Sequence, residues 1–134
     1  MWLIDTNVLI QCSKLKIRPF KEGNTFTTIL SLIEFPIASK YDEISVIYPS
    51  SIHYEQGFRN ALLLREKGTP IPTIDILIGT ITVDKNLILV SDDSHFEYLQ
   101  EVEPRLKIIT SDTFIKKIQL PKKKEEEVAD EKDI

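Results

Sequence analysis

Cysteine is almost missing from this chain. The single residue, Cys12, excludes an intramolecular disulfide and any zinc site built from several thiolates. Glycine is scarce as well, at four residues. None of them falls in a G-x-G-x-x-G, P-loop or G-x-S-x-G pattern, so dinucleotide binding, NTP binding and serine hydrolysis lack support. No apolar run approaches the roughly 18–20 residues that a membrane helix needs. The start, MWLIDTNVLI, carries an acid at position 5 and no basic leader, which argues against a secretory signal. A cytoplasmic protein with no membrane association is expected. Also absent is a basic excess: the net charge is −4, and residues 122–134 hold four Lys against six acids. Nothing here would coat a polynucleotide with positive charge. A nucleic-acid substrate would need its phosphates offset by another agent, and a bound metal is the obvious one.

What is present reads as one domain. A chain of 134 residues buries roughly two-thirds of its unfolded surface, and 42% apolar with 28% charged residues is an ordinary globular balance. Short apolar or β-branched runs at Met1–Ile4, Asn24–Thr28, Ile44–Tyr48, Leu87–Val90 and Lys107–Thr110 are expected strands. Between them lie helical stretches at Val8–Leu15, Ile29–Ser39, Ser51–Lys67, Ile74–Asp84, His95–Glu101 and Thr113–Ile118. Pro36 should kink or shorten the second, Gly68 should end the third, and Thr73 is placed to cap the fourth. Strands alternating with helices imply a parallel sheet of four to five strands covered on both faces. Twenty Ile against three Ala suit such buried strands. The domain is expected over residues 1–120, with a charged, disordered tail at 121–134. On the long helix, Phe58, Leu62 and Leu63 are expected in the core rather than at an interface. His53 is expected at the surface or half-buried, and Tyr48, Tyr54 and Tyr98 half-buried.

In open α/β sheets, ligands gather outside the carboxyl ends of the strands, and acids fall there. Asp5 ends the first strand, Asp92 and Asp93 follow the strand Leu87–Val90, and Asp75 lies in the first turn of its helix. Each has an ordinary structural reading: a helix cap for Asp5, a favourable helix-start charge for Asp75, solvated turn residues for Asp92 and Asp93. Glu34 stands inside the apolar run LSLIEFPIA, which suggests a partly buried carboxylate in need of a cation, a basic partner or a proton. A set made of carboxylates suits a hard ion such as Mg²⁺ or Mn²⁺, whose bound water can attack a phosphodiester.

The order and context of these acids resemble those of the PIN-domain family of metal-dependent ribonucleases, which includes the VapC-type toxins. LIDTNVLI resembles the family's start, with Asp5 as its first acid and Thr6 and Asn7 as supporting polar residues. Glu34 in SLIEFPIA matches the glutamate of the second helical segment, and PTIDILIGTITVDKNLILVSDD, with Asp75, resembles the stretch that follows. The last family motif, T-x-D-x-D-F, stands here as SDDSHF: Ser91 takes the Thr place, Asp93 the first acid and Phe96 the aromatic. His95 replaces the second acid, and Asp92 is a compensating candidate.

The resemblance covers roughly residues 1–118. It implies a PIN-like three-layer α/β/α fold in which Asp5, Glu34, Asp75 and Asp93 hold one or two Mg²⁺ or Mn²⁺ ions and cleave RNA. Thr6, Asn7, Ser91 and His95 would support them. It also implies a homodimer and a small antitoxin partner for a toxin of the VapBC type. The alternatives within the family are a stand-alone RNA-processing nuclease and a catalytically weak RNA-binding module. A haloacid-dehalogenase-type phosphatase is disfavoured, because Asn7 and Leu9 stand where D-x-D-x-T needs Asp and Thr. A response-regulator receiver would need an acceptor acid and a base at other strand ends, and no suitable set is found.

Overall fold

The structure is a computed structural model that describes residues 1–118. The end of the expected domain and the expected tail, residues 119–134, lie outside the described residues. The elements run β1 (Trp2–Ile4), α1 (Thr6–Leu15), β2 (Thr25–Thr28), α2 (Ile29–Glu34), a 3₁₀ turn (Pro36–Lys40), β3 (Ser45–Ile47), α3 (Ser51–Glu66), α4 (Thr73–Asp84), β4 (Ile88–Val90), α5 (His95–Val102) and β5 (Lys107–Ile109). A last helix, α6, occupies residues 111–118. The five strands form one sheet in the order β3-β2-β1-β4-β5, parallel throughout.

Successive strand residues point to opposite faces, and that alternation builds the two cores. Leu3 and Leu89 join Leu64, Ile76, Ile78, Ile81, Phe96 and Leu99 from α3, α4 and α5 on one face. Ile4 and Val90 join Val8, Leu9, Cys12, Ala38, Tyr41 and Phe114 from α1, the 3₁₀ turn and α6 on the other. The result is the expected three-layer α/β/α arrangement. Cys12 is core, as its place on α1 suggested, and burial pushes its thiol up to about 11.

Proline acts where it should. Helical geometry is disfavoured for a residue before proline, so α2 stops at Glu34, Phe35 turns extended at φ −139°, and Pro36 opens the 3₁₀ turn. Gly68 takes the left-handed conformation past the end of α3, at φ +76°. The expectation for Thr73 is corrected. It is already the first helical residue of α4, Pro72 holds the cap position, and no side chain caps this end.

A larger correction concerns α3. Phe58, Leu62 and Leu63 are 66%, 48% and 43% exposed, and the face turned inward carries His53, Gly57, Asn60 and Leu64. His53 is therefore buried rather than superficial. Its Nδ1 accepts from the Ser50 backbone N–H at 2.9 Å, and its Nε2 lies 2.8 Å from Asp84 Oδ2 at the far end of α4. The Asn60 amide donates to Thr80 Oγ1 at 3.3 Å. Gly57 completes the fit, since a Cβ there would stand 3.4 Å from Leu77 Cδ2. Helix α3 thus seats on α4 by a small residue and polar pairs, leaving its large apolar side chains outside.

Candidate metal centre

Strand β1 leads through α1 to β2 on one side of the sheet, while the chain reaches β4 on β1's other side only after β3, α3 and α4. The order reverses between β1 and β4, the place where open α/β sheets leave a crevice at the strand ends. Asp5 emerges at the end of β1 with its backbone N–H on the Val90 carbonyl at 3.0 Å, and Ser91 and Asp93 emerge beside it from β4. Asp75 enters from the first turn of α4, His95 opens α5, and Glu34 closes α2.

Asp5 occupies the N-cap position of α1, but its side chain makes no cap bond. Its Oδ2 instead accepts from Ser91 Oγ at 2.7 Å. Ser91 Oγ in turn accepts the Asp93 backbone N–H at 3.1 Å, and Asp93 Oδ1 accepts the His95 backbone N–H at 2.9 Å. His95 Nδ1 lies 3.0 Å from Asp75 Oδ2 and 3.2 Å from Asp93 Oδ1. Thr6 Oγ1 lies 3.2 Å from Glu34 Oε1 and 2.9 Å from Ser31 Oγ. A carboxylate can only accept, so Thr6 donates to Glu34. Ser31, fully buried, is a support that the sequence reading missed. Its only local signal is its place three residues after the α2 cap Thr28.

The electrostatics match the geometry. Burial pushes the Asp5 carboxyl up from 3.8 to about 6, against the lowering effect of the Ser91 hydrogen bond, and the charges of Asp75 and Asp93 push it further. Asp75 is also raised, first by burial, with Asp93 and Glu34 adding and His95 opposing. Among the described residues, no Lys or Arg pairs with Asp5, Glu34, Asp75 or Asp93. The His95 ring is the one base that meets them among the described residues, which leaves room for a cation. One ligand atom each from Asp75, Asp93 and His95 lies within 4.8 Å of the others, a spacing one divalent ion can bridge. The donor set fits such an ion.

Two of the candidate ligands depart from expectation. Glu34 is exposed rather than partly buried, because α2 is short and its end projects outward, with Ile33 70% exposed beside it. Asp92 turns away from the cluster: its Oδ1 accepts the Ser111 backbone N–H at 2.9 Å and its Oδ2 the Ser111 hydroxyl at 2.7 Å, at the start of α6. Asn7 is half-buried, and its Oδ1 has no hydrogen-bond partner. Tyr48, Tyr54 and Tyr98 are exposed rather than half-buried.

No protein-family profile matches the chain, and no curated protein matches it in sequence. Solved structures do. The DNA-bound VapBC structure from Salmonella typhimurium aligns with a TM-score of 0.70 at 17% identity, covering 82% of this chain and 97% of that one. VapBC-1 from nontypeable Haemophilus influenzae aligns at 0.65 and 16% identity, covering 82% and 97%. VapBC2 from Rickettsia felis, bound to a promoter fragment, aligns at 0.63 and 16% identity, covering 81% and 97%. The class defined is thus an α/β/α protein with an acidic crevice at the strand ends. More narrowly, the chain has the PIN-type fold of these toxin–antitoxin structures, over nearly the whole of each matched chain.

Proposed function

We propose that this protein is a divalent-metal-dependent ribonuclease that hydrolyses RNA phosphodiester bonds, acting in the cytoplasm as the toxin of a VapBC-type pair. The observation that carries the reading is the set of neighbouring carboxylates at the β1/β4 crevice, which among the described residues meet the His95 ring but no Lys or Arg. Asp5, Asp75 and Asp93 would hold Mg²⁺ or Mn²⁺, with Glu34 and His95 at the margin. A bound ion of this kind supplies a water of lowered pKa and offsets charge on the phosphate. The chain's own residues do the rest. Ser91 fixes the Asp5 carboxylate, and Thr6 holds Glu34 at the exposed rim, where its free oxygen is available to take a proton from the attacking water. The water oxygen bonds to phosphorus as the bond to the ribose oxygen breaks, and that oxygen leaves with a proton supplied by solvent water.

The partner assignments belong to the same reading. The structures with this fold are toxin–antitoxin complexes, which supports a small antitoxin here. Self-association as a homodimer is supported by the exposed face of α3. In an antiparallel pairing level with Asn60, Phe58 would meet the second copy's Leu62 and Glu55 would meet Arg65, as a two-fold contact requires.

Cleavage of single-stranded and structured RNA, with Mg²⁺ or Mn²⁺ and with EDTA, tests the activity. Cutting is expected only with metal and is expected to vanish in Asp5→Asn. Equal cutting in EDTA, or by the variant, removes the proposal. A second reading, an RNA-binding module with little turnover, is favoured by one observation: His95 stands where the family has an acid. RNA retention without cleavage under every metal would select it. Growth arrest on expression, relieved by a neighbouring small reading frame, separates a toxin from a stand-alone processing nuclease.

A further inference from the structure

We infer that His95 is a nitrogen ligand of the metal centre, and that it turns the site from a general Mg²⁺ site into one selective for Mn²⁺ and later transition ions. The inference rests on the metal-site reading above and adds to it the identity of the ion. An all-carboxylate set is hard and does not distinguish strongly against Mg²⁺, whereas an imidazole nitrogen is a borderline donor suited to transition ions.

Three observations place the imidazole in the coordination sphere rather than beside it. First, the atom turned toward the acids is Nδ1, at 3.0 Å from Asp75 Oδ2 and 3.2 Å from Asp93 Oδ1. Neighbouring ligands of an octahedral ion with bonds of about 2.1 Å sit about 3.0 Å apart, so the nitrogen stands from each carboxylate oxygen at the spacing of adjacent ligands, and all three atoms lie within 4.8 Å of one another. Second, the ring is anchored. His95 is the first residue of α5, and its backbone N–H is held by the same Asp93 Oδ1. Third, the acids that meet the ring have no Lys or Arg partner among the described residues, so a cation there has only the His95 contacts to replace, and His95 stays in place as its ligand. A neutral imidazole with its proton on Nε2 leaves the Nδ1 lone pair facing the carboxylates.

Mn²⁺ binding by the full chain, followed by electron paramagnetic resonance with Mg²⁺ as competitor, tests this directly. The wild type is expected to show ¹⁴N coupling from a bound imidazole in pulsed spectra. His95→Ala should abolish that coupling and weaken Mn²⁺ about 10- to 100-fold, with much less change for Mg²⁺. His95→Asp, which restores an acid at this position, should also lose the coupling while narrowing the Mn²⁺/Mg²⁺ preference by about tenfold or more. Thermal melts of both variants establish that they fold. Bound Mn²⁺ without nitrogen coupling, or an unchanged preference in a folded His95→Asp, overturns the inference alone. Failure of the wild type to bind any Mn²⁺ overturns it together with the metal-dependent reading.

Discussion

Replacing Asp5 with Asn should make the metal-free protein more stable at neutral pH, although it removes a charged group from the centre of the site. Asp5 is 5% exposed, and its carboxyl is raised from 3.8 to about 6. The folded state therefore holds this proton more tightly than the unfolded state does. Between these two values, stability falls as pH rises, because the unfolded chain binds fewer protons. Above pH 6 the penalty is complete, at about two units and ~1.4 kcal/mol per unit, or up to ~3 kcal/mol. Asn carries no such penalty, and its side-chain oxygen can still accept the Ser91 hydroxyl. In EDTA at pH 7.5 the variant should gain ~2–3 kcal/mol in urea melts followed by circular dichroism, or roughly 5–12 °C in midpoint. At pH 4 the two proteins should converge, while the other titrating groups largely cancel in the difference. Mn²⁺ at about a thousand times its dissociation constant should reverse the order, since it then adds ~4.1 kcal/mol to the protein that binds it. A variant no more stable than wild type in EDTA, or a gap of equal size at pH 4, refutes the account of Asp5 as an uncompensated buried carboxylate.

Other perturbations separate the roles of individual residues. Asp93→Ala should lower Mn²⁺ affinity at least tenfold in titration, whereas Asp92→Ala should leave it nearly unchanged and cost ~1 kcal/mol of stability by freeing Ser111 at the start of α6. Gly79→Ala places a methyl against the buried Leu99 side chain, and the resulting overpacking should cost ~1–3 kcal/mol in denaturant melts, despite alanine's better helix propensity. Phe58→Glu, on the outward face of α3, should reduce the mass measured by light scattering to that of one chain while circular dichroism shows the fold retained.

The sheet and the placing of Asp5, Asp75 and Asp93 at one end of it were legible because both arise locally. Strands buried on two faces write themselves as short β-branched runs, and each carboxylate sits within a few residues of a strand end or helix start. The orientation of α3 was not legible. Its inward positions are His53, Gly57, Asn60 and Leu64, only one of them strongly apolar, so hydropathy points the helix the wrong way. What repays their burial comes from α4, at Thr80 and Asp84, and no local pattern announces those partners. Glu34 misled for a related reason. Apolar neighbours signal burial only when they are themselves buried, and Ile33 and Ile37 are largely exposed.

Asp92 and Asp93 look interchangeable in SDDSHF, yet they face opposite layers. Asp92 leaves the end of β4 toward α6 and α1, where Ser111 spans it and Gln11 at 3.2 Å. Asp93 turns toward α4 and α5, where Asp75 and His95 meet it. The alternation that sends Leu89 and Val90 into different cores continues through the turn and allots one acid to each side. One carboxylate is satisfied by backbone and hydroxyl donors and holds the last described helix in place. The other accepts the His95 backbone N–H and stands beside Asp75 and the His95 ring at the crevice. Folding alone gives no reason to gather negative groups in this way, because each added charge raises the cost of the next. A cation bound there removes that cost, and the adjacent Asp92 shows that the fold has local means to satisfy an acid where no cation is required.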